Sequence, residues 1–160
     1  MTAYYQLTDE LHRLLHSLDD ELEAYDMPDF DYDDLSQRID AVKLCLEKVH
    51  GHKLKRDNTQ DAFFISDLEH YEEYEDNGEK KLGGVYVVRF SLFGNLTTVW
   101  TTYPNLNISE QLEKDTVKCL EQYGFTYINA GVLTNSKYDG KHKYFLENNL
   151  TWWDRFFEYE

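Results

Sequence analysis

Two histidines are the residues whose type and spacing come closest to a recognisable chemistry. His12 and His16 lie four residues apart in a segment with a helical pattern, so their rings project from one side of the helix, as in zinc-binding helices. They also lie beside a stripe of leucines, no glutamate accompanies them as in an HExxH motif, and the sequence fixes no third ligand. A metal site and simple packing both account for the pair. We expect packing, with no metal and no cofactor.

The remaining candidates for catalysis are weaker. Carboxylates are abundant, so a pair of them carries no information about acid–base chemistry, and no serine lies in a GxSxG motif. No glycine-rich loop has a phosphate-binding pattern, and neither cysteine has a neighbour that would favour a thiolate. The other four histidines lie in polar segments, which is typical of solvated side chains. The sequence therefore predicts a protein that is not an enzyme.

Charge is the most informative property of the chain. Its 160 residues carry a formal charge of −15, and residues 1–50 contain 13 acidic and 4 basic side chains, whereas residues 81–160 contain 9 and 8. This balance argues against binding to nucleic acids or anionic membranes and favours either a basic protein partner or simple solubility. In two acidic stretches, the carboxylates alternate with aromatic side chains, a mixture found in charge-complementary interfaces. A solvated helix surface and an acidic loop would account for them equally well.

The first stretch lies around residues 19–34 and the second around residues 69–79. The predicted partner-binding residues are Asp26, Asp29, Phe30, Asp31, Tyr32, Asp33, Asp34, Tyr71, Glu72, Glu73, Tyr74, Glu75 and Asp76.

The elements that must position these residues are organised around the segment 83–103. Two β-branched and aromatic runs, Val85–Phe93 and Leu96–Tyr103, are joined by Gly94-Asn95, which predicts a tight hairpin. A two-residue loop would pair Phe90 with Val99. Side-chain alternation then gives a core face and a half-exposed face. The core face would hold Tyr86, Val88, Phe90, Leu92 and Val99, and the half-exposed face Arg89, Ser91, Thr98 and Trp100.

Apolar spacing of three and four residues predicts three helices. The first spans Asp9 to Ala24 with Thr8 as N-cap, and the second follows Pro28 and spans about 35–49. The third spans Ser109 to Tyr123 and ends at Gly124. The first two would form an N-terminal helical hairpin.

Shorter runs complete the prediction. We expect strands at 62–68, 125–129 and 151–159, an exposed loop or extended hairpin tip at 69–81, and a loop at 132–143. The fold class is then α+β, with the N-terminal helical hairpin and a mostly antiparallel sheet on which a helix packs. The length favours one domain over 1–160, with a weak sub-boundary near Gly51.

The two cysteines indicate a compartment. Cys45 and Cys119 each lie in an apolar helical stripe, so we expect buried free thiols, no disulfide and a reducing cytoplasm. The N-terminal residues show no secretion signal, and no segment is long enough to span a membrane. The sequence predicts a cytoplasmic protein and leaves its oligomeric state open.

One segment near the C-terminus resembles a known group of proteins. The turn Lys137-Tyr-Asp-Gly140 and the later run LTWWDRFFEY at 150–159 resemble the tail of small bacterial proteins of polymorphic toxin systems, which serve as immunity partners. The resemblance implies an inhibitor that covers a cognate toxin, and an acidic protein could occupy the basic cleft of a nuclease in place of phosphate. Two alternatives remain: a DNA-mimic antirestriction regulator, or a ligand-binding domain with Trp100, Trp152 or Trp153 in the wall of its pocket.

Overall fold

The computed structural model describes residues 3–19, 31–58 and 64–158. Within these residues the chain forms six strands and six helices. The strands are β1 (Ala3–Tyr4), β2 (Lys55–Asn58), β3 (Phe64–Asp76), β4 (Glu79–Ser91), β5 (Leu96–Trp100) and β6 (Thr126–Ile128). The helices are α1 (Asp9–Leu18), α2 (Tyr32–His50), α3 (Glu110–Gln122), α4 (Ala130–Asn135), α5 (Lys143–Glu147) and α6 (Trp152–Phe156).

The strands form one mixed sheet in the order β1-β6-β5-β4-β3-β2. The four strands β2 to β5 are antiparallel to one another, whereas β6 runs parallel to β5 and β1 runs parallel to β6. The predicted α+β class is confirmed, and the sheet is mostly antiparallel. The two N-terminal helices are present, with Thr8 capping α1 and Asp31 capping α2 through their side chains.

Both faces of the sheet are covered. Val88, Phe90 and Val99 pack with α2 and α3 in one core cluster, whereas Phe93 and Leu96 pack with α1, α4, α5 and α6 in a second. Because side chains alternate along a strand, the two clusters lie on opposite faces. The predicted division between faces is therefore right for Tyr86, Val88, Phe90 and Val99, whereas Leu92 lies in the connection after β4 and contacts both clusters. The predicted half-exposed face is wrong, since Arg89, Ser91 and Thr98 are buried.

The register of the β4–β5 hairpin differs from the prediction by two residues. Val88 pairs with Val99 and Phe90 pairs with Thr97, so four residues connect the strands. β4 ends at Ser91, earlier than predicted, because the Ser91 hydroxyl donates to the Phe156 carbonyl (2.7 Å) and accepts from the Phe93 amide (3.1 Å). A shift of two preserves the alternation, which explains why the faces were predicted correctly despite the wrong register.

The predicted final strand at 151–159 is wrong. Residues Trp152–Phe156 form α6, and Thr151 and Asp154 make a capping box at its start. Trp152, Trp153, Arg155 and Phe156 are all buried. With aromatics on every side, the segment carries no period that distinguishes a helix from a strand. Likewise, α4 occupies part of the predicted loop at 132–143, and α5 begins at its end.

The predicted absence of a disulfide is also wrong. Cys45 of α2 and Cys119 of α3 are bonded, with their Cα atoms 5.9 Å apart. The sequence places each cysteine on an apolar stripe but does not reveal that the two stripes face each other on the same side of the sheet. The cysteines therefore no longer support a reducing compartment.

The first helix is shorter than predicted. It ends at Leu18, because Asp19 has an extended backbone and turns its carboxylate inward. The Asp19 carboxylate accepts hydrogen bonds from Arg155 Nε (2.7 Å) and from the backbone amide of Lys141 (2.8 Å), which joins the end of α1 to α6.

Candidate functional site

The second acidic stretch forms the far end of the β3–β4 hairpin. β2 pairs with β3 only up to Glu69, and β5 pairs with β4 only from Val87. Beyond these points, residues 71–84 continue as a two-stranded ladder around the Asn77-Gly78 turn. These six residue pairs, here called the ribbon, are about 20 Å long. At the base of the ribbon, the Thr102 and Tyr103 amides donate to the Gly84 carbonyl at 2.9 Å and 3.2 Å. Of the two predicted forms, an extended hairpin tip is the one observed.

The ribbon presents an apolar and acidic face. A bulge separates His70 from Tyr71, and beyond it Tyr71, Glu73 and Glu75 alternate on one side, where Leu82 pairs with Glu73. The exposed fractions of Tyr71 and Leu82 are 44% and 68%. Exposed apolar area is thus interleaved with carboxylates on this face.

The opposite face of the ribbon is partly covered by the chain itself. Tyr74 packs edge to face on Tyr103, with ring centroids 5.3 Å apart. Lys81 Nζ lies 2.8 Å from Asp76 Oδ2, which offsets one charge. Residues 72–82 contain five carboxylates and two lysines, so the ribbon remains net negative.

The first acidic stretch is accounted for by the start of α2. Asp31 accepts a hydrogen bond from the Asp34 amide (3.0 Å), and the Asp34 carboxylate lies 3.0 Å from Arg38 Nε. Asp33 and Tyr32 are exposed on the first turn, where negative charge also favours the helix dipole. The predicted residues Asp26, Asp29 and Phe30 lie outside the described residues.

The two acidic surfaces do not form one site. Near the start of α2, Arg38 donates to the Tyr123 carbonyl and to the Asn95 side chain. At its end, His50 stacks on Tyr86 and approaches His70, next to the base of the ribbon. A helix of 19 residues is roughly 28 Å long, so the acidic helix start and the ribbon lie at opposite ends of α2.

Three histidines gather at the base of the ribbon. The rings of His52 and His70 are 4.2 Å apart, and the His50 ring lies about 5 Å from both. His50 Nε2 is buried and has no hydrogen-bond partner among the described residues. Burial, followed by the proximity of His52 and His70, lowers the pKa of His50 below its ordinary value. The expectation of solvated histidines is thus wrong for His50.

A second histidine cluster forms where α1 meets the turn at 138–140. The Nε2 atoms of His12 and His16 are 3.0 Å apart, and the Asp139 carboxylate contacts both, at 2.8 Å and 3.0 Å. Burial opposes ionisation of Asp139, but the hydrogen bonds from the two imidazoles outweigh it and lower the pKa of the carboxyl. Asp139 is the partner that the sequence did not fix, since it lies more than 120 residues away along the chain.

The segments 137–140 and 150–159 near the C-terminus support this cluster. Tyr138 is buried and donates to the Asp19 carboxylate, which is also bonded to Arg155. The guanidinium of Arg155 lies over the Phe93 ring at 4.7 Å. His16 packs edge to face on Trp152, with ring centroids 5.3 Å apart. Tyr138, Trp152 and Arg155 of these segments are therefore buried inside the protein.

A pocket of about 390 Å³ opens beside a buried ion pair. Arg89 makes a two-point contact with Asp67 (2.9 Å for each bond) and lies over the rings of Trp100 and Trp153. The pocket is lined by these two tryptophans, as the sequence anticipated, but not by Trp152. Trp100 Nε1 is buried and has no hydrogen-bond partner in the described part of the chain.

No protein-family model, curated protein or solved structure matches the chain. In the ranges 3–19, 31–58 and 64–158, no helix combines the length and the apolar character that crossing a membrane requires.

Proposed function

We propose that the protein binds a basic protein partner through the ribbon and acts as an immunity-type inhibitor that covers a toxin. The observation that carries the proposal is the exposed face of the ribbon, on which Tyr71 and Leu82 alternate with carboxylates. Apolar side chains provide area to bury, and the surrounding negative charge steers a positively charged surface into contact.

The ribbon supports this role better than the start of α2 does. Asp31 and Asp34 already serve the helix as a cap and an ion-pair partner, so their presence needs no external partner. The carboxylates of Glu73 and Glu75, in contrast, make no hydrogen bond or ion pair with the other residues that the structure describes. A two-stranded ribbon that leaves its sheet is only marginally stable by itself, and contact with a partner would add to its stability.

The geometry also supports occlusion without turnover. A ribbon about 20 Å long can enter a cleft in the partner, and its carboxylates can take the positions of phosphates in a nucleic-acid-binding cleft. A DNA-mimic regulator would use the same surface against several unrelated DNA-binding proteins. The identity and number of partners therefore distinguish these two functions.

The test is affinity capture with the tagged protein from a lysate of the organism that encodes it, at 50 and 300 mM salt, followed by mass spectrometry. The ribbon variant E73K/E75K is compared with E121K/E147K, whose exposed glutamates lie on α3 and α5 and give the same change in charge. We expect one basic protein to bind stoichiometrically to wild type and to the control, to dissociate at the higher salt, and to be lost from the ribbon variant.

The retained protein is then purified, and its association rate and activity are measured. Loss of steering should slow association of the ribbon variant by at least about tenfold at low salt, and wild type should inhibit the partner's activity. Equal binding of E73K/E75K and wild type would remove the ribbon from the interface. Several unrelated DNA-binding proteins would favour the regulator, and no retained basic protein would favour a ligand in the tryptophan pocket.

A further inference from the structure

The cluster at the junction of α1 and the 138–140 turn has the composition and geometry of a divalent-metal site. His12 and His16 present their Nε2 atoms from adjacent turns of one helix, and Asp139 adds a carboxylate from a different part of the chain. Imidazole and carboxylate are the nitrogen and oxygen ligands that Zn²⁺ accepts in proteins. The three groups belong to two elements that the fold holds together for independent reasons.

The distances between the imidazole nitrogens and the carboxylate oxygens are already close to those of a zinc site. In a tetrahedral site with bonds of 2.0 to 2.1 Å, two ligand atoms are about 3.3 Å apart. In the cluster, the Nε2 atoms of His12 and His16 are 3.0 Å apart, and each contacts a different oxygen of Asp139: Oδ2 lies 2.8 Å from His12 and Oδ1 lies 3.0 Å from His16. Opening each pair by a few tenths of an ångström, within the freedom of the side-chain torsions, makes room for the ion.

The positions available to the protons of the cluster also favour a bound cation. If both Nε2 atoms donate to Asp139, the two N–H groups face each other across 3.0 Å. If one Nε2 instead accepts from the other, it gives up its hydrogen bond to the carboxylate. A cation between the three side chains replaces these protons and satisfies both imidazoles and the carboxylate at once.

The turn that carries Asp139 is anchored on both sides. Tyr138 donates to Asp19, and the Lys141 amide donates to the same carboxylate at 2.8 Å. A Cβ atom at Gly140 would lie only 2.1 Å from Asp19 Oδ2, so the backbone approaches the carboxylate as closely as only glycine allows. Asp139 is therefore positioned before any ion arrives, which lowers the cost of ordering a ligand.

We propose that His12, His16 and Asp139 bind one Zn²⁺ ion, with water in the fourth position. The exposed side-chain fractions of 41%, 32% and 55% leave the ion accessible from solvent. The ion links α1 to the turn before α5 and thereby stabilises the folded state by binding to it. The inference is independent of the proposed partner, since the ribbon shares no residue with the site.

The cluster of His50, His52 and His70 can be compared with this site within the same protein. His52 and His70 lie with their rings 4.2 Å apart and tilted by 30°, and His50 stacks on Tyr86. His70 Nε2 is directed to Glu72 at 3.2 Å, whereas the Nε2 atoms of His12 and His16 meet each other. We therefore assign the ion to the first cluster and use the second as the control.

The experiment is a zinc titration of the untagged full-length protein after treatment with a chelator, followed by calorimetry and by thermal melting. Wild type is compared with H12Q and D139N, which remove one ligand each, and with H52Q as the control. We expect one equivalent of Zn²⁺ for wild type and H52Q, and a higher melting temperature with zinc. Affinity should fall at least about 100-fold in H12Q and D139N, because loss of a residue that merely supports a ligand already costs 10–100-fold.

Melting curves of the metal-free variants establish that they fold, and the absorption spectrum of the Co²⁺ form provides a separate reading of tetrahedral coordination. Absence of zinc binding in wild type, or zinc binding that persists in folded H12Q and D139N, would overturn the proposal. Loss of binding in H52Q alone would transfer the site to the second cluster.

Discussion

The disulfide between α2 and α3 allows the most quantitative prediction. It joins Cys45 and Cys119, which are 74 residues apart, and so closes a long loop in the unfolded chain. The chain-entropy relation gives about 4.5 kcal/mol for a loop of this length at 25 °C, near the top of the range of about 0–5 kcal/mol covered by such bonds. For a protein of this size, that corresponds to a melting temperature higher by about 12 °C.

The perturbation is reduction of the bond or the substitution C45A/C119A. Thermal and urea unfolding are followed by circular dichroism for the oxidised protein, the reduced protein and the double variant. We expect the free energy of unfolding to fall by about 3–4.5 kcal/mol in both altered forms. The reduced protein retains both side chains, so it isolates the cross-link from the packing lost on replacing buried Cys119 with alanine.

Thiol counting in denaturant is the accompanying control. After oxidation with glutathione disulfide, the wild-type chain should contain no reactive thiol. Two reactive thiols after that treatment, or a melting temperature that reduction leaves unchanged, would refute the assignment of the bond and the reasoning from loop length.

Two further predictions concern buried charge and pH. The substitution D19N removes the buried negative charge that pairs with Arg155, and we expect a loss of about 3–5 kcal/mol in urea unfolding, against little change for D9N at the exposed start of α1. A loss below about 1 kcal/mol would contradict the role given to Asp19. Because the pKa of His50 is lowered in the folded protein, the unfolded chain binds a proton at His50 more readily. The contribution of neutral His50 to the free energy of unfolding is therefore complete above about pH 6.5 and is lost as the pH falls towards the pKa of the folded state. In the presence of a chelator, H50F, which preserves stacking on Tyr86, should lose less stability between pH 7 and 5 than wild type, and an identical decline in both would show that His50 is not the group responsible.

Local sequence determined the helix starts and the alternation of the central strands. Thr8 caps α1 as predicted, because a cap depends on residues only three positions away. Gly124 has a φ of +82°, as expected of the residue that ends a helix. The faces of β4 and β5 were likewise predictable, because they follow from a period of two along each strand.

Tertiary structure decided everything that depends on which segments meet. The disulfide requires α2 and α3 to lie side by side on one face of the sheet, and the helical state of 152–156 is stabilised by burial on the other face. In neither case does a residue near in sequence reveal the partner.

The candidate sites follow the same division. Composition alone identified the acidic residues 71–76, but only the end of pairing with β2 and β5 makes them a projecting ribbon. The spacing of His12 and His16 allowed a metal site as the alternative to the packing that we expected, and Asp139 lies in a turn far away in the sequence. Only the fold brings them within 3.0 Å, because the buried Asp19 carboxylate binds both Arg155 of α6 and the turn that carries Asp139.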